Sequence, residues 1–206
     1  MSTKVNEKEL KLRLIDYIIL AFPKCKLIGV EVPFKSMSRR VDVLLITAKK
    51  ELIAFEIKSD VDSLRRWDDQ KDDYRQTFDK LYIVTSEKFK DIAIKSSDYT
   101  GRIYINGDIK KKKNAKTRKQ LNKQSLAYFI WKDEIVKMGY DKKESVESLR
   151  AKLIKNAGTA EAVRKLAIES ILGRYAKRFE LFKKHKGQKT SQADLDYLTK
   201  DFDLNL

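Results

Sequence analysis

Acidic and basic side chains stand at the ends of two short apolar segments, close enough in sequence to converge. Asp42 opens the run VDVLLI, and Glu56 and Lys58 close the run ELIAFEIK. Alternate residues of a strand lie on one face, so Glu56 and Lys58 should emerge together. In an antiparallel hairpin the start of one strand lies beside the end of the other. The sequence therefore predicts that Asp42 lies next to both.

Two carboxylates and a lysine in one partly buried place favour a bound divalent cation, because the carboxylates repel each other without one. An oxygen-only site suits Mg²⁺, with Mn²⁺ able to substitute. Such an ion can lower the pKa of a bound water and polarise a phosphoryl oxygen, while Lys58 can hold the water or offset charge on the phosphate. Asp42, Glu56 and Lys58 therefore predict metal-dependent hydrolysis of phosphodiesters.

Further polar residues could join this site. Gln70 lies four residues before Tyr74 on the helix expected to follow, and a glutamine on a buried face needs a partner that water or phosphate could supply. The same two residues could equally form the sheet-facing side of an amphipathic helix. Glu31 and Glu9 are candidate secondary metal ligands. Glu31 could also face solvent, and Glu9 competes with Glu7 for the same helical neighbourhood.

A purely structural interpretation remains open. Asp42 could be a turn residue at a strand entry, and Glu56 with Lys58 an exposed ion pair. The Glu-x-Lys spacing carries little weight alone, since Glu9-Leu10-Lys11 repeats it. The copy at Glu56 differs because it ends an apolar strand, follows a strand-borne aspartate and precedes a Gln-x-x-x-Tyr helix.

The elements that must position these residues follow from the apolar pattern. We expect a helix over 7–22, a helix from a cap at Asp60 or Asp62 to about residue 78, and strands over 26–34, 41–47, 51–57, 81–85 and 102–106. An Asn106-Gly107 turn ends the last strand. A helix crossing between buried strands indicates a mixed α/β fold.

The pattern changes after residue 109. Residues 110–119 contain no apolar residue except Ala115, and only helical patterns follow, over 123–138, 144–156, 160–184 and after Ser191. We therefore predict an α/β domain over residues 1–109, a basic linker or arm over 110–120, and a helical basic region over 121–206.

The positive charge is concentrated in the second half of the chain. The net charge is +16, of which residues 101–206 carry +13. Such a density favours the phosphate backbone of nucleic acid, most simply DNA, although lysines can also serve solubility alone. The candidate DNA contacts are Lys110, Lys111, Lys112, Lys113, Arg65 and Arg66. The lysine run could instead be a disordered linker, and the two arginines could be merely solvated.

Other classes of protein are disfavoured. No apolar run approaches the roughly 18 residues of a membrane span, and the N-terminus is too charged for a signal peptide, so we expect a cytoplasmic protein. One cysteine, Cys25, and one histidine, His185, exclude an internal disulfide and make a Cys/His zinc site implausible.

The residues resemble the PD-(D/E)xK nuclease superfamily, whose core is a helix, a three-stranded antiparallel meander, a helix and a further strand. Asp42 matches the family's acidic residue, Glu56-Ile57-Lys58 its (D/E)xK, and Gln70 to Tyr74 the QxxxY element of RecB-type domains. The likeness covers about residues 5–178 and is strongest to small prokaryotic and phage members with a basic helical C-terminal half. Val41 stands where the motif's name has proline, which removes no ligand.

The resemblance implies an α/β restriction-endonuclease-like core followed by an all-helical region. It also implies that Asp42, Glu56 and the Ile57 carbonyl bind metal, that Lys58 is the catalytic lysine, that Gln70 supports catalysis, and that Tyr74 helps hold DNA.

The sequence thus predicts a Mg²⁺-dependent deoxyribonuclease, restriction-like or repair-like. Two alternatives remain: a catalytically silent DNA-binding or assembly module on the same fold, and a dimeric structure-specific resolvase. A second copy of the chain, or other phage or defence proteins, are the further partners we consider.

Overall fold

Six strands form one mixed sheet in the computed structural model of the chain, which describes residues 5–63, 67–89, 99–106, 108–118 and 121–199. The strands lie in sequence order across the sheet. They are β1 (Leu27–Phe34), β2 (Arg39–Ile46), β3 (Leu52–Lys58), β4 (Lys80–Thr85), β5 (Gly101–Asn106) and β6 (Asp108–Lys113). The first three form an antiparallel meander, β3 to β5 are parallel, and β6 returns antiparallel to β5.

Helices precede, interrupt and follow the sheet. They are α1 (Glu7–Ala21), α2 (Trp67–Thr77), α3 (Lys123–Ala127), α4 (Lys132–Lys137), α5 (Val146–Ala157), α6 (Ala160–His185) and α7 (Gln192–Leu198). Helix α1 is capped by the Asn6 side chain, which accepts from the Glu9 N–H, and it ends shortly before Pro23. Ser191 and Asp194 form a capping box at α7. The mixed α/β architecture predicted from the sequence is confirmed.

The basic segment after residue 109 differs from its prediction. Lys110 to Lys113 belong to β6, which pairs with β5 and forms an edge of the sheet, so the linker or arm expected over 110–120 begins as a strand. Asp60 and Asp62, the two residues predicted to cap the helix before residue 78, use their carboxylates elsewhere. The Asp62 carboxylate accepts from Ser59, and the Asp60 carboxylate accepts from Val5 and Ser86.

The helical region and the sheet share one hydrophobic core, which runs from Leu10 in α1 to Leu198 in α7. A buried ion pair also ties them: Arg164 in α6 lies 2.8 Å from the Asp79 carboxylate and 2.5 Å from the Lys50 carbonyl oxygen. No helix in the described part of the chain has the length and apolarity needed to cross a membrane.

Candidate metal centre

Three acidic residues fall on one row across the antiparallel meander. The β1–β2 ladder keeps a single register but is interrupted where Glu31 faces Asp42. The β2–β3 ladder ends at Val43 and Phe55, one residue short of Asp42 and Glu56. Directly opposed residues lie side by side in an antiparallel sheet. We call Glu31, Asp42 and Glu56 the acidic row.

The carboxylate of Asp42 takes over a hydrogen bond where the ladder ends. Its Oδ2 accepts from the Ile57 N–H at 2.6 Å. Burial and then the charge of Glu56 raise the pKa of Asp42 well above its ordinary value, while the Ile57 N–H opposes this shift. As predicted, Asp42 and Glu56 therefore lie close enough for their two carboxylates to repel each other.

Glu56 is held on both of its oxygens. Lys58 Nζ lies 2.6 Å from Oε1, and the Tyr74 hydroxyl donates to Oε2. Glu56 is 5% exposed and Lys58 8% exposed, so the interpretation of these two as an exposed ion pair is wrong. A buried carboxylate and ammonium need such partners.

Tyr74 is a buried part of the candidate site and does not belong to its exposed surface. The side chain is 1% exposed and its hydroxyl also lies 3.1 Å from the Arg40 carbonyl oxygen. Burial, then the charges of Glu56 and Asp42, raise the pKa of Tyr74 well above its ordinary value, so the phenol keeps its proton. A side chain so buried cannot contact DNA directly. The predicted DNA contact is corrected to a role in holding Glu56.

Gln70 lies one turn before Tyr74 on the same side of α2. Its Oε1 is buried and has no hydrogen-bond partner within the described ranges. A buried carbonyl oxygen without a donor costs free energy unless a ligand or water supplies one. Gln70 is thus a polar group on the site's side of α2 that can still accept a hydrogen bond.

Glu31 adopts an unusual backbone conformation at the row. Its φ of +52° lies in the left-handed region, which non-glycine residues seldom occupy inside a strand. One carboxylate oxygen each of Glu31, Glu7 and Asp42 lie within 4.8 Å of one another. Backbone strain of this kind persists where surrounding contacts hold it, and it concentrates at functional sites.

Lys11 of α1 is bound between two of these acids. Its Nζ lies 2.9 Å from Glu7 Oε1 and also donates to Glu31 Oε1. Burial lowers the pKa of Lys11, but the hydrogen bonds and charges of Glu31 and Glu7 outweigh burial and raise it. A charged ammonium therefore neutralises part of the acidic group.

Glu9 does not join the centre, contrary to its prediction as a metal ligand. It pairs with Arg13 at 2.5 Å and lines a separate cavity with Tyr17. Glu7 takes its place, because Glu7 shares a side of the helix with buried Leu10. That spacing was the available signal for Glu7 and Lys11, which sequence reasoning did not place in the site.

A cavity of about 310 Å³ opens beside Glu7, Lys11 and Glu31. Helix α7 supplies its opposite wall through Leu195 and Asp196. The C-terminal end of α7 is anchored there, since Thr199 forms an isolated bridge with Val30 of β1. Glu31 and Glu7, at one end of the acidic group, therefore border a space large enough for water and part of a ligand.

Four of the other candidates for DNA contact lie on β6. Lys110, Lys111 and Lys112 are exposed on β6, and Lys113 is half-buried there. Arg65 and Arg66 lie outside the described residues.

The residues present fit a hard divalent cation. All candidate side-chain ligands are carboxylate oxygens, the donor type that Mg²⁺ and Mn²⁺ prefer. The acidic row and Glu7 carry four negative charges when ionised, and Lys11 and Lys58 carry two positive charges. The difference of two negative charges matches one divalent ion. Such an ion would also favour ionised Asp42, whose charge is otherwise disfavoured.

Comparison with known proteins places the chain in a phage family. The family described as bacteriophage P4 protein cII matches residues 1–199. Protein cII of Enterobacteria phage P4 is 29% identical over 219 residues, covering 97% of this chain and 80% of the relative. A protein of unknown function from Silicibacter pomeroyi shares the fold, with a TM-score of 0.51, 15% sequence identity, and coverage of 90% of this chain and 98% of that one. Since the family match spans nearly the whole sequence, the chain belongs to the bacteriophage P4 protein cII family.

Proposed function

We propose that this protein is a metal-dependent nuclease that hydrolyses DNA phosphodiester bonds in the cytoplasm. The observation that carries the proposal is the acidic row, with Lys58 bonded to Glu56 at its end. Its surroundings add support, because α1, the meander, α2 and β4 follow in the order of the PD-(D/E)xK core that the sequence resembles.

Asp42, Glu31 and Glu7 would hold the ion, with Glu56 and the Ile57 carbonyl oxygen as further ligands. When bound, Mg²⁺ or Mn²⁺ supplies Lewis-acid polarisation of the phosphoryl oxygen and activation of water. The Ile57 N–H fixes the orientation of Asp42. Pre-oriented ligands cost less reorganisation when charge develops in the transition state.

Lys58 and Tyr74 act beside the ion. Lys58 is buried near Glu56, so its ammonium can orient the attacking water or offset charge on the phosphate. Tyr74 keeps Glu56 in place through its hydroxyl. Gln70 Oε1 can accept a hydrogen bond from the attacking water. The basic second half of the chain supplies attraction for the DNA backbone.

The test is cleavage of supercoiled plasmid and of single-stranded DNA with Mg²⁺ or Mn²⁺. We expect wild type to cut and Glu56→Gln and Lys58→Met to lose activity by at least about 100-fold, since each removes a charged group from the reacting centre. Circular dichroism checks that both variants fold.

Glu51→Gln is the matched control. Glu51 pairs with Lys80 at 2.7 Å, a similar carboxylate–lysine contact next to the opposite end of β3. Its loss should leave cleavage unchanged. Equal activity of wild type and folded Glu56→Gln would remove the acidic row from the mechanism, and absence of cleavage by wild type on every DNA substrate would refute the nuclease proposal.

A second candidate, a DNA-binding or assembly module without turnover, is favoured by one observation. The Lys11 ammonium already offsets one of the two negative charges of Glu7 and Glu31. Calorimetric titration with Mn²⁺ separates the two candidates. A nuclease should bind Mn²⁺ in a manner abolished by Asp42→Asn, whereas a silent module should bind none.

A further inference from the structure

A second row of paired residues leads away from Lys58 across the sheet. Lys58 of β3 pairs with Thr85 of β4, Thr85 with Tyr104 of β5, and Tyr104 with Lys110 of β6. Neighbouring strands lie about 4.8 Å apart, so three steps separate Lys58 from Lys110 by about 14 Å. The lysine of the candidate centre and the lysine strand thus belong to one line across four strands.

The pairing fixes the side of the sheet on which Lys110 and Lys111 lie, whereas Lys112 falls at a register shift, has no paired residue, and is placed by a side-chain contact. Lys110 lies beside Tyr104, and Lys112 Nζ sits 5.7 Å from the centre of the Tyr104 ring. Both therefore share the side of Tyr104, which continues through the pairing to that of Lys58. Lys111 is paired with the buried Ile103 and belongs to the other side.

The positions of the helices agree with this assignment of the β6 lysines to the two sides of the sheet. Tyr74 of α2 reaches Glu56, which shares its side of β3 with Lys58. Tyr17 of α1 and Ile109 of β6 line the same cavity, and Ile109 is on the side of Lys111 by alternation. Lys110 and Lys112 therefore lie on the α2 side, together with Glu56 and Lys58.

Lysines on an edge strand have an ordinary explanation, which is protection against edge-to-edge pairing of sheets. That explanation treats all exposed lysines of β6 alike, whichever side they occupy. Contact with a ligand at the candidate centre would instead single out the two exposed lysines on the α2 side; Lys113, which pairs with Arg102 on that side, is half-buried. The two explanations therefore predict different behaviour for Lys110 with Lys112 and for Lys111.

We propose that the DNA backbone runs from the acidic row over the ends of β3, β4 and β5 to β6, where Lys110 and Lys112 contact its phosphates. The proposal deepens, and rests on, the nuclease assignment. Because Thr85 is buried, the DNA backbone would pass above the row from Lys58 to Lys110 without touching Thr85. These contacts position DNA without reading its sequence, because phosphates are the same at every base pair.

The experiment measures binding of a fluorescent DNA duplex by anisotropy over a range of salt concentrations, in buffer with EDTA so that cleavage does not interfere. The test variant is Lys110→Glu with Lys112→Glu. The matched control is Lys111→Glu with Lys116→Glu, two exposed lysines of the same segment whose replacement changes the net charge equally. Circular dichroism and the Tm verify folding of both.

Each phosphate contact contributes about 0.9 to the slope of log K against log salt for duplex DNA, so loss of two contacts should lower its magnitude by about 1.8. The control variant should lower the magnitude of this slope by less than half as much as the test variant does. In cleavage assays with Mg²⁺, the test variant should raise KM at unchanged kcat.

Equal effects of the two double variants, or none from either, would overturn the DNA path, as would a wild type that binds no DNA. Wild type that binds DNA with the expected difference between variants but never cuts it would refute the nuclease proposal and leave the path standing. The two failures are thus distinguishable.

Discussion

Asp42 of β2 accepts a hydrogen bond from the backbone N–H of Ile57 in β3, with 2.6 Å between Oδ2 and nitrogen. The bond lies just past the last paired residues of the two strands. A side chain thus replaces a rung of the sheet at the point where Glu56 and Lys58 emerge. The orientation of the candidate ligand is therefore set by the backbone next to it and not by a flexible loop.

Tyr74→Phe should weaken metal binding and cleavage. The phenol holds Glu56 without touching the candidate cation site, and loss of such a supporting group costs about 10- to 100-fold in metal affinity or activity. Mn²⁺ titration and plasmid cleavage measure the two effects. Tyr140→Phe is the control, since the Tyr140 hydroxyl bonds Asn156 in the helical region. Unchanged Mn²⁺ affinity in Tyr74→Phe would contradict the role assigned to the phenol.

Lys11→Met should make the protein depend on metal for stability. Without the ammonium, Glu7 and Glu31 repel each other, at a cost of about 2 kcal/mol; the cost is below that of a fully buried pair because both acids are partly exposed. In a chain of this size that corresponds to a Tm lower by about 4–8 °C.

Added Mn²⁺ should then raise the Tm of Lys11→Met more than that of wild type, since the cation replaces the lost charge. Differential scanning fluorimetry with and without Mn²⁺ measures this. Lys8→Met is the matched control, because Lys8 lines the same cavity but is exposed. Equal Mn²⁺ responses of all three proteins would show that Lys11 does not occupy a cation position.

Glu31→Gly should be more stable than Glu31→Ala by about 1 kcal/mol. Both variants lose the carboxylate, but only glycine adopts a φ of +52° without cost. Urea unfolding with matched m-values gives the difference. Alanine as stable as glycine would mean that the backbone at residue 31 relaxes once the carboxylate is gone.

Asp73 should contribute stability at neutral pH that disappears in acid. Burial raises the pKa of Asp73, but hydrogen bonds from Lys35 and Arg39 outweigh burial and lower it below the ordinary 3.8. A carboxyl with a lowered pKa in the folded state stabilises above its unfolded pKa, and that contribution is lost as pH falls through the folded value. The stabilities of wild type and Asp73→Asn should differ most well above pH 3.8 and converge only as the pH falls below that value, through the lowered pKa of Asp73. A difference that persists unchanged in acid would contradict this origin.

The sequence was sufficient to bring Asp42, Glu56 and Lys58 together, because strand periodicity and a short hairpin act locally. It could not choose Glu7 over Glu9, since that depends on the rotation of α1 against the sheet. Nor could the sequence show that the Tyr74 hydroxyl donates its hydrogen bond to Glu56, because these residues are 18 positions apart. The left-handed backbone of Glu31 has no sequence signal of its own.

The strand β6 escaped prediction for a related reason. Its lysines carry no apolar alternation, and β6 owes its conformation to hydrogen bonds with β5. The Asn106-Gly107 dipeptide predicted a turn after β5, but the lysine-rich segment that follows has the composition of a solvated linker. Long apolar elements such as β3, buried throughout its length, are the ones that sequence pattern identifies best.

The common core of sheet and helices has a practical consequence for dissecting this protein. Cutting the chain after β6 would strip α6 and α7 from β1 and leave Asp79 facing solvent without its arginine. Such a fragment would expose an apolar surface and a carboxylate without its arginine, and exposed apolar surfaces of this kind promote aggregation. Studies of the candidate metal centre should therefore start from point variants of the intact chain, because truncation would damage the scaffold that holds the centre.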